Sequence, residues 1–239
     1  MKKRIGQDRG QDHHHPTAAV SLRQMADRLA GLSTAQWGRY AFSREPLEGK
    51  FTPEQMRVYT EKADACGRQW ADRMAAQYGT RTPRLLAQAM GLKVEEAQTP
   101  VGGGLVLFAQ FVQPDTVTIF TDCIQKAASI QEESGCPLLL PDRLREILLG
   151  HELFHAVEER YPKEIYTRTE KIQLWRKPFS NLSSIACLSE IAAMAFAARL
   201  LDLTVSLYLL DVLLVYPYDQ AAATGLYEEI CSLAECVPS

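Results

Sequence analysis

A predicted helix over residues 142–160 carries two histidines on its apolar face, and this pattern restricts the possible fold more than any other feature of the chain. At about 100° per residue, Leu144 and Ile147 fall on the same helical stripe as His151 and His155. Both imidazoles are therefore expected to point into the interior. A buried imidazole needs a hydrogen-bond partner or another ligand, so the helix must pack against elements that supply one.

The two histidines belong to the motif His151-Glu152-Leu153-Phe154-His155, an HExxH sequence. Residues four apart lie one turn apart on the same face of a helix, so both imidazoles can bind one divalent ion. The carboxylate of Glu152 can then reach a water molecule on that ion. The alternative is a pair of core histidines with ordinary hydrogen-bond partners, which would make the neighbouring Glu152 a coincidence.

A catalytic zinc ion requires three protein ligands and one open position, so the motif needs a third ligand. Glu158 and Tyr161 stand where the longer HExxHxxGxxH motif has its glycine and third histidine, which excludes that ligand set. Glu159 continues the series of positions four apart, but ligands at i, i+4 and i+8 on a straight helix span about 12 Å. The third ligand is therefore expected on another helix.

Glu190 is the predicted third ligand. It lies in a second predicted helix, over residues 182–202, on the side that carries small and apolar residues such as Ala193 and Ala197. A lone carboxylate on such a face is costly unless it is neutralised, ion-paired or bound to a metal. The alanines would also let this helix approach the HExxH helix closely. The alternative is an ion pair between Glu190 and a lysine or arginine that the sequence alone does not identify.

Hydrophobic periodicity changes along the chain from helical to strand-like and back to helical, which predicts an α+β fold. A capping-box pattern that begins at Thr52 predicts a helix over 53–78. Short strand-like runs follow between residues 92 and 120. The remaining predicted helices cover 83–90, 121–133, 142–160, 182–202, 204–215 and 219–236.

We predict a single domain over residues 50–239 and an N-terminal arm over residues 1–49 that is partly disordered. Residues 1–45 carry a charge of +4, and the pattern of two short helices around Gly31 is that of a degenerate helix-turn-helix. The spacing of its apolar positions fits that motif poorly, which argues against a nucleic-acid partner. The polar start of the chain indicates a disordered tail or, alternatively, a weak metal-binding tract formed by His13, His14 and His15.

Composition narrows the class of protein further. Lys and Arg number 26 against 29 Asp and Glu, so the net charge of −3 predicts no general attraction to nucleic acid or anionic lipid. The most apolar region, 182–218, is interrupted by charged residues and has no uncharged run near the roughly 20 residues that cross a bilayer. Six cysteines lie far apart without a CxxC pair, which is typical of reduced thiols. We therefore expect a cytoplasmic protein with no membrane contact, and the oligomeric state stays open.

The sequence HELFH followed by SEIAAMAFAARLL resembles the ImmA/IrrE family of zinc metallopeptidases, which belongs to the gluzincin group. The preceding RLLAQAMGLKVEE also resembles that family, and the resemblance covers about residues 84–201. The chain departs from the family pattern at Phe154, Ala192 and Met194, where the family often has Gly, Glu and Asn. The positions that match the second motif are Glu190, Ala193, Phe196, Ala197, Leu200 and Leu201.

The resemblance implies a zincin-like fold, in which a small β-sheet packs against the HExxH helix with further helices around it. It implies a zinc-dependent metallopeptidase that acts on a peptide or protein substrate, which could be a regulatory protein. His151, His155 and Glu190 would bind Zn²⁺, and Glu152 would be the general base. An extended substrate could add to an edge strand over 105–112, and the alternative is that this segment forms a purely structural hairpin. The alternative is a regulatory or DNA-associated interaction protein whose metal site is catalytically idle, and hydrolysis of another kind of amide is a third possibility.

Overall fold

The computed structural model describes residues 2–4, 20–99, 105–173 and 181–236. The predicted tail with His13, His14 and His15 lies outside the described residues. The strands are β1 (Lys2–Arg4), β2 (Lys93–Ala97), β3 (Leu105–Leu107), β4 (Ala109–Val112), β5 (Thr116–Phe120), β6 (Ile172–Gln173) and β7 (Leu182–Ser183). The helices are α1 (Leu22–Ala30), α2 (Thr34–Ser43), α3 (Pro53–Tyr78), α4 (Pro83–Ala89), α5 (Thr121–Ala128), α6 (Gln131–Ser134), α7 (Pro141–Arg160), α8 (Tyr166–Thr169), α9 (Cys187–Leu200), α10 (Leu210–Leu213) and α11 (Gln220–Glu235). Short 3₁₀ turns cover Glu48–Lys50, Pro137–Leu139 and Leu207–Leu209.

The long helix α3 shows how closely the local sequence sets element boundaries. The Thr52 hydroxyl accepts a hydrogen bond from the backbone N–H of Gln55, whose side chain in turn accepts from the Thr52 N–H. The helix ends at Gly79, which has φ of 72° and so adopts the left-handed conformation that glycine tolerates best. The predicted helix over 53–78 is confirmed.

The sheet that carries the predicted strands has the order β2-β5-β4. Strand β5 pairs with β4 in antiparallel and with β2 in parallel orientation, so the sheet is mixed. Helix α7 packs against β4 and β5, which places the HExxH segment directly beneath the sheet. Strand β3 precedes β4 and pairs in antiparallel orientation with β1, with Lys2 opposite Leu107. The predicted small sheet packed against the HExxH helix is confirmed, within a mostly helical α+β fold.

Helix α9 lies at the centre of the fold, between α3 and α7. Small residues permit this close packing: a Cβ atom added to Gly67 of α3 would lie 2.1 Å from the carbonyl oxygen of Ala192. On the other side, a Cβ atom added to Gly150 of α7 would lie 3.2 Å from the Cβ of Ala197. The expected close approach of the Glu190 helix to the HExxH helix is therefore observed. Helix α9 begins at Cys187 instead of residue 182, because Leu182–Ser183 pairs with β6.

The contact between α3 and α9 gives a stability prediction. Gly67→Ala is expected to lower the free energy of unfolding by about 1–3 kcal/mol, because the added methyl group must push the two helices apart. This loss is expected even though alanine favours a helix over glycine by about 1 kcal/mol. Gly225→Ala is the matched control, since Gly225 is also helical and its added Cβ would meet nothing within 4 Å. Urea unfolding should show the control unchanged or stabilised; two equally stable variants would contradict the close contact.

Residues of the predicted arm contribute to the same hydrophobic core as the rest of the chain. Leu29 of α1 and Trp37, Tyr40 and Phe42 of α2 are buried, and α2 packs against α3 and α11. A domain boundary at residue 50 and DNA reading by this arm both stay predictions. Within the described residues, no helix combines the length and the apolar character that a bilayer crossing requires.

Candidate metal centre

Helices α7 and α9 bring three predicted ligands together. His151 and His155 lie one turn apart on α7, and their Nε2 atoms are 3.3 Å from each other. Glu190 extends from the first turn of α9, with Oε2 at 3.4 Å from His151 Nε2 and Oε1 at 3.9 Å from His155 Nε2. One potential ligand atom from each residue lies within 4.8 Å of the other two. The three side chains therefore converge on one small space.

The size of this triangle fits a tetrahedral zinc site. Zinc binds imidazole nitrogen and carboxylate oxygen at about 2.0–2.1 Å, which places neighbouring tetrahedral ligands about 3.3–3.4 Å apart. The separations from His151 Nε2 to His155 Nε2 and to Glu190 Oε2 are 3.3 and 3.4 Å. The set of two imidazoles and one carboxylate also matches the donors of catalytic zinc sites. These residues could hold Zn²⁺ with only a small rotation of the Glu190 carboxylate toward His155.

The site is open on one side. The side chain of His151 is 3% exposed, whereas those of His155 and Glu190 are 22% and 53% exposed. His155 and Glu190 line a cavity of about 810 Å³, together with Glu152. An open ligand position that faces a cleft is typical of catalytic zinc sites, whereas structural sites are closed by four protein ligands.

The environment of Glu190 differs from the one expected from the sequence. The helical projection placed it on a buried, small-residue face, but its side chain is half exposed and borders the cleft. Partial burial opposes ionisation, but the hydrogen bond from His151 and the charges of both histidines prevail and hold the pKa of Glu190 well below its ordinary value. The expected alternative, an ion pair with lysine or arginine, is not observed among the described residues. Glu190 is instead an anionic carboxylate beside two imidazoles.

Glu158 orients one of the two imidazoles, a role that no sequence motif indicated. It is 2% exposed and accepts hydrogen bonds from the hydroxyl groups of Thr167 and Ser189, the latter at 2.6 Å. Its Oε2 lies 3.2 Å from His155 Nδ1. Burial alone would raise the pKa of Glu158, but these hydrogen bonds lower it, so the group is a carboxylate that only accepts. Nδ1 of His155 must therefore carry the proton, which leaves Nε2 free to bind a metal.

The contact between Glu158 and His155 leads to a prediction about zinc affinity. Glu158→Gln is expected to weaken zinc binding about 10–100-fold. A carboxylate that accepts a hydrogen bond from the other ring nitrogen of a ligand histidine fixes its tautomer and raises its basicity, and glutamine lacks that charge. Glu159→Gln is the matched control, since Glu159 is the exposed neighbour on α7 and pairs with Arg168 instead. The zinc affinity of each variant can be measured by competition with a chelating dye. Equal affinities in the two variants would contradict the role of Glu158.

Glu152 lies beside the three potential ligands, with its side chain buried at 3% exposure. Its Oε2 accepts a hydrogen bond from the backbone N–H of Phe111 in β4 at 2.8 Å, which joins the HExxH helix to the sheet. The carboxylate also lines the cleft. A carboxylate held at this position by the backbone is a preorganised proton acceptor for a group bound between His155 and Glu190.

Two further residues near the site carried no usable sequence signal. Glu45, in the loop after α2, is buried and its Oε2 accepts a hydrogen bond from the Cys187 N–H at 2.9 Å. It thereby caps α9, whose own N-cap residue Ala186 provides no side-chain hydrogen bond. Tyr208 also lines the cleft. Both come from segments far from the motif, so only the tertiary structure identifies them.

Tyr161 and Tyr166, the first two tyrosines after the HExxH motif, lie away from the cleft. Tyr161 packs on the ring of Trp70, with ring centroids 4.9 Å apart. Tyr166 is on α8, and neither tyrosine lines the cavity that contains Glu152. Neither tyrosine therefore contributes to the candidate metal centre.

Comparison of the chain with protein-family models, curated proteins and solved structures found no match. The cluster of His151, His155 and Glu190 on two helices is consistent with the geometry of an HExxH motif plus a distant glutamate. Membership of the ImmA/IrrE family stays a prediction.

Proposed function

We propose that this protein is a zinc-dependent metallopeptidase of the gluzincin type. The observation that carries the proposal is the triangle formed by His151, His155 and Glu190, whose edges of 3.3 and 3.4 Å match a tetrahedral zinc site. The open cleft beside it and the adjacent Glu152 support catalysis over a purely structural role. A zinc ion held there would supply a water of lowered pKa and a Lewis acid for the scissile carbonyl group.

The residues around the cleft support distinct roles in peptide hydrolysis. Glu152 accepts a proton from the attacking water and returns it to the leaving amine. Strand β4 borders the cleft with Gln110 and Phe111 and lies at the edge of its three-stranded sheet, so an extended peptide could pair with it. The adjacent β3 already accepts an extended segment, Lys2–Arg4, in antiparallel pairing. Peptides and unfolded proteins are therefore the proposed substrate class, and the proposed location is the cytoplasm.

Removal of the metal tests this function directly. The purified protein is expected to contain about one zinc ion per chain and to hydrolyse unstructured peptides. Dialysis against a strong chelator should abolish hydrolysis, and addition of one equivalent of Zn²⁺ should restore it, because the three ligands are already in place. Zinc should also raise the thermal unfolding midpoint, since a ligand that binds only the folded state stabilises it.

The same experiment separates the peptidase from the alternative of a metal site without catalysis. Stabilisation by zinc without hydrolysis of any peptide in a varied library would favour the regulatory protein with an idle site. The absence of both stabilisation and hydrolysis would refute the metal centre altogether. Mass spectrometry of the products would distinguish peptide-bond cleavage from hydrolysis of another amide.

A further inference from the structure

The extended run that borders the cleft begins with β3 and continues into β4, with Phe108 as the one residue between them. This run is anchored in the core, because Phe108 and Ala109 are fully buried and the Phe108 carbonyl oxygen accepts a hydrogen bond from the Phe120 N–H at 3.0 Å. Further along the run, Gln110 and Phe111 line the cleft. The run is therefore a fixed edge along which an extended peptide could lie.

The first strand of the chain already occupies part of this edge. Strands β1 and β3 form an antiparallel two-stranded sheet of their own, in which Lys2 is opposite Leu107 and Arg4 is opposite Leu105. Lys2 therefore lies beside the end of β3 that leads into β4, and Arg4 lies beside the other end. Of the two ends of β1, the amino end is the one nearer to the cleft along this run.

The register of this pairing shows how close the β3 edge comes to the cleft. A peptide that continued the register beyond Lys2 would lie opposite Phe108 and Ala109, and Gln110 is the next residue of the run. At about 3.3 Å per residue, Leu107 and Gln110 are about 10 Å apart along the run, which is shorter than an extended peptide of four residues. A substrate that lies along β4 and extends onto β3 would therefore need the same backbone groups that β1 uses.

Pairing along one edge of a strand is exclusive, because the N–H and C=O groups on that edge can form a ladder with only one other strand. Since β1 belongs to the same chain as β3, every molecule carries its own competitor for the edge. A tethered segment of this kind acts at an effective concentration that is typically about millimolar. A pair of short strands is only marginally stable by itself, so a substrate that gains further contacts in the cleft can displace β1.

We propose that β1 is an autoinhibitory strand, which must leave the β3 edge before an extended peptide substrate can bind across the cleft. This inference rests on the metallopeptidase function proposed above and adds a regulation of the same site. The partner that the edge fits is an extended main chain, which is either β1 or the substrate. The fraction of molecules in which β1 is paired sets the loss of substrate affinity, which is about tenfold if roughly nine molecules in ten are closed.

Two adjacent prolines in β1 test the pairing in the full chain. Alternate residues of an antiparallel strand direct their N–H groups to the partner strand, so Lys3→Pro/Arg4→Pro removes one ladder donor whichever of the two residues supplies it. The matched control is Lys3→Gln/Arg4→Gln, which loses the same two positive charges but keeps both N–H groups. It should leave the pairing of β1 with β3 intact.

The affinity for a peptide hydroxamate, which binds zinc but is not cleaved, measures the effect without turnover. In calorimetry the zinc-loaded proline variant should bind it about three- to tenfold more tightly than the wild type, because β1 no longer competes. The glutamine control should bind it as the wild type does. For a cleaved unstructured peptide, kcat/KM of the proline variant should rise by the same factor through KM, with kcat unchanged, since saturating substrate displaces β1 from either protein.

Limited proteolysis of the wild-type chain follows the displacement of β1 without any substitution. Trypsin cleaves after lysine and arginine, and a paired strand resists cleavage. Binding of the hydroxamate should therefore accelerate cleavage after Arg4 severalfold relative to cleavage after Arg9, which lies outside β1. Mass spectrometry of the products distinguishes the two positions.

Equal hydroxamate affinities in the proline variant and the wild type, or an unchanged rate of cleavage after Arg4, would overturn the autoinhibitory strand and leave the metallopeptidase proposal intact. An equal gain in the glutamine control would assign the effect to charge and would also overturn it. A wild-type affinity that falls as the protein concentration rises would mean that a second copy supplies the strand, which contradicts pairing within one chain. Failure of the hydroxamate to bind all three proteins would overturn both proposals.

Discussion

Glu152→Gln is expected to lower the rate of peptide hydrolysis by about 10²–10⁴-fold while leaving the zinc content unchanged. The amide of glutamine has nearly the same shape as the carboxylate but cannot accept the proton of the attacking water. Its oxygen can still accept the hydrogen bond that Phe111 N–H donates to Glu152, so the link between α7 and β4 should persist. The measurements are kcat/KM on a cleaved peptide and zinc content by atomic emission.

The control for this variant is Glu159→Gln, which makes the same chemical change on the exposed side of α7. It should retain both zinc and activity. A Glu152→Gln protein with full zinc occupancy and wild-type turnover would rule out Glu152 as the base. If that variant lost zinc and activity together, the role of Glu152 would be structural, through its contact with the sheet.

A large effect on zinc affinity is also expected for Glu190→Ala. Loss of a residue that only orients a metal ligand weakens metal binding by up to about 100-fold. Because Glu190 would bind the ion directly, Glu190→Ala is expected to weaken zinc binding by more than this. The two imidazoles would remain in place, because Glu158 orients His155 and the core encloses His151. Hydrolysis should fall with zinc occupancy, and the stabilisation of the fold by zinc should shrink in proportion to the lost affinity.

Glu228→Ala serves as the control for the loss of an exposed glutamate from a helix. Its zinc affinity, measured by the same competition with a chelating dye, should equal that of the wild type. Wild-type affinity in Glu190→Ala would mean that another group completes the site, and the assignment of the third ligand would be wrong. Glu190→Gln should give an intermediate affinity, because a neutral amide oxygen binds zinc more weakly than a carboxylate.

Local sequence patterns predicted most helices and strands well. The capping box at Thr52 and the glycine at position 79 define the ends of α3, since both act through hydrogen bonds and backbone angles within a few residues. The mixed sheet was predicted less completely, because nothing in its short strands specifies that β2 pairs with β5 in parallel. The start of α9 was also misplaced, because Leu182–Ser183 forms a strand pair with Ile172–Gln173 instead of a first helical turn.

In the candidate site, too, the sequence predicted the local features, and the packing of helices set the rest. The spacing of His151, Glu152 and His155 follows from helical periodicity, which is a local property, and it is sufficient to place both imidazoles on one face. Glu190 was selected by the cost of a carboxylate among small apolar residues, and the structure brings it to the two histidines. The side chain of Glu190 is nonetheless about half exposed, because this position of α9 borders the cleft.

By itself, the sequence predicted the HExxH helix, Glu190 as a third potential ligand and the α+β order of elements, since each was inferred from the pattern of residues within a single helix or strand. Only the tertiary structure decided that Thr167 and Ser189 hold the Glu158 carboxylate, that Glu45 caps α9 and that Tyr208 and Asp211 line the same cleft as Glu152. Those contacts join segments that are far apart in the chain or lie on different elements. Their geometry is set by how whole helices pack, which no local pattern encodes.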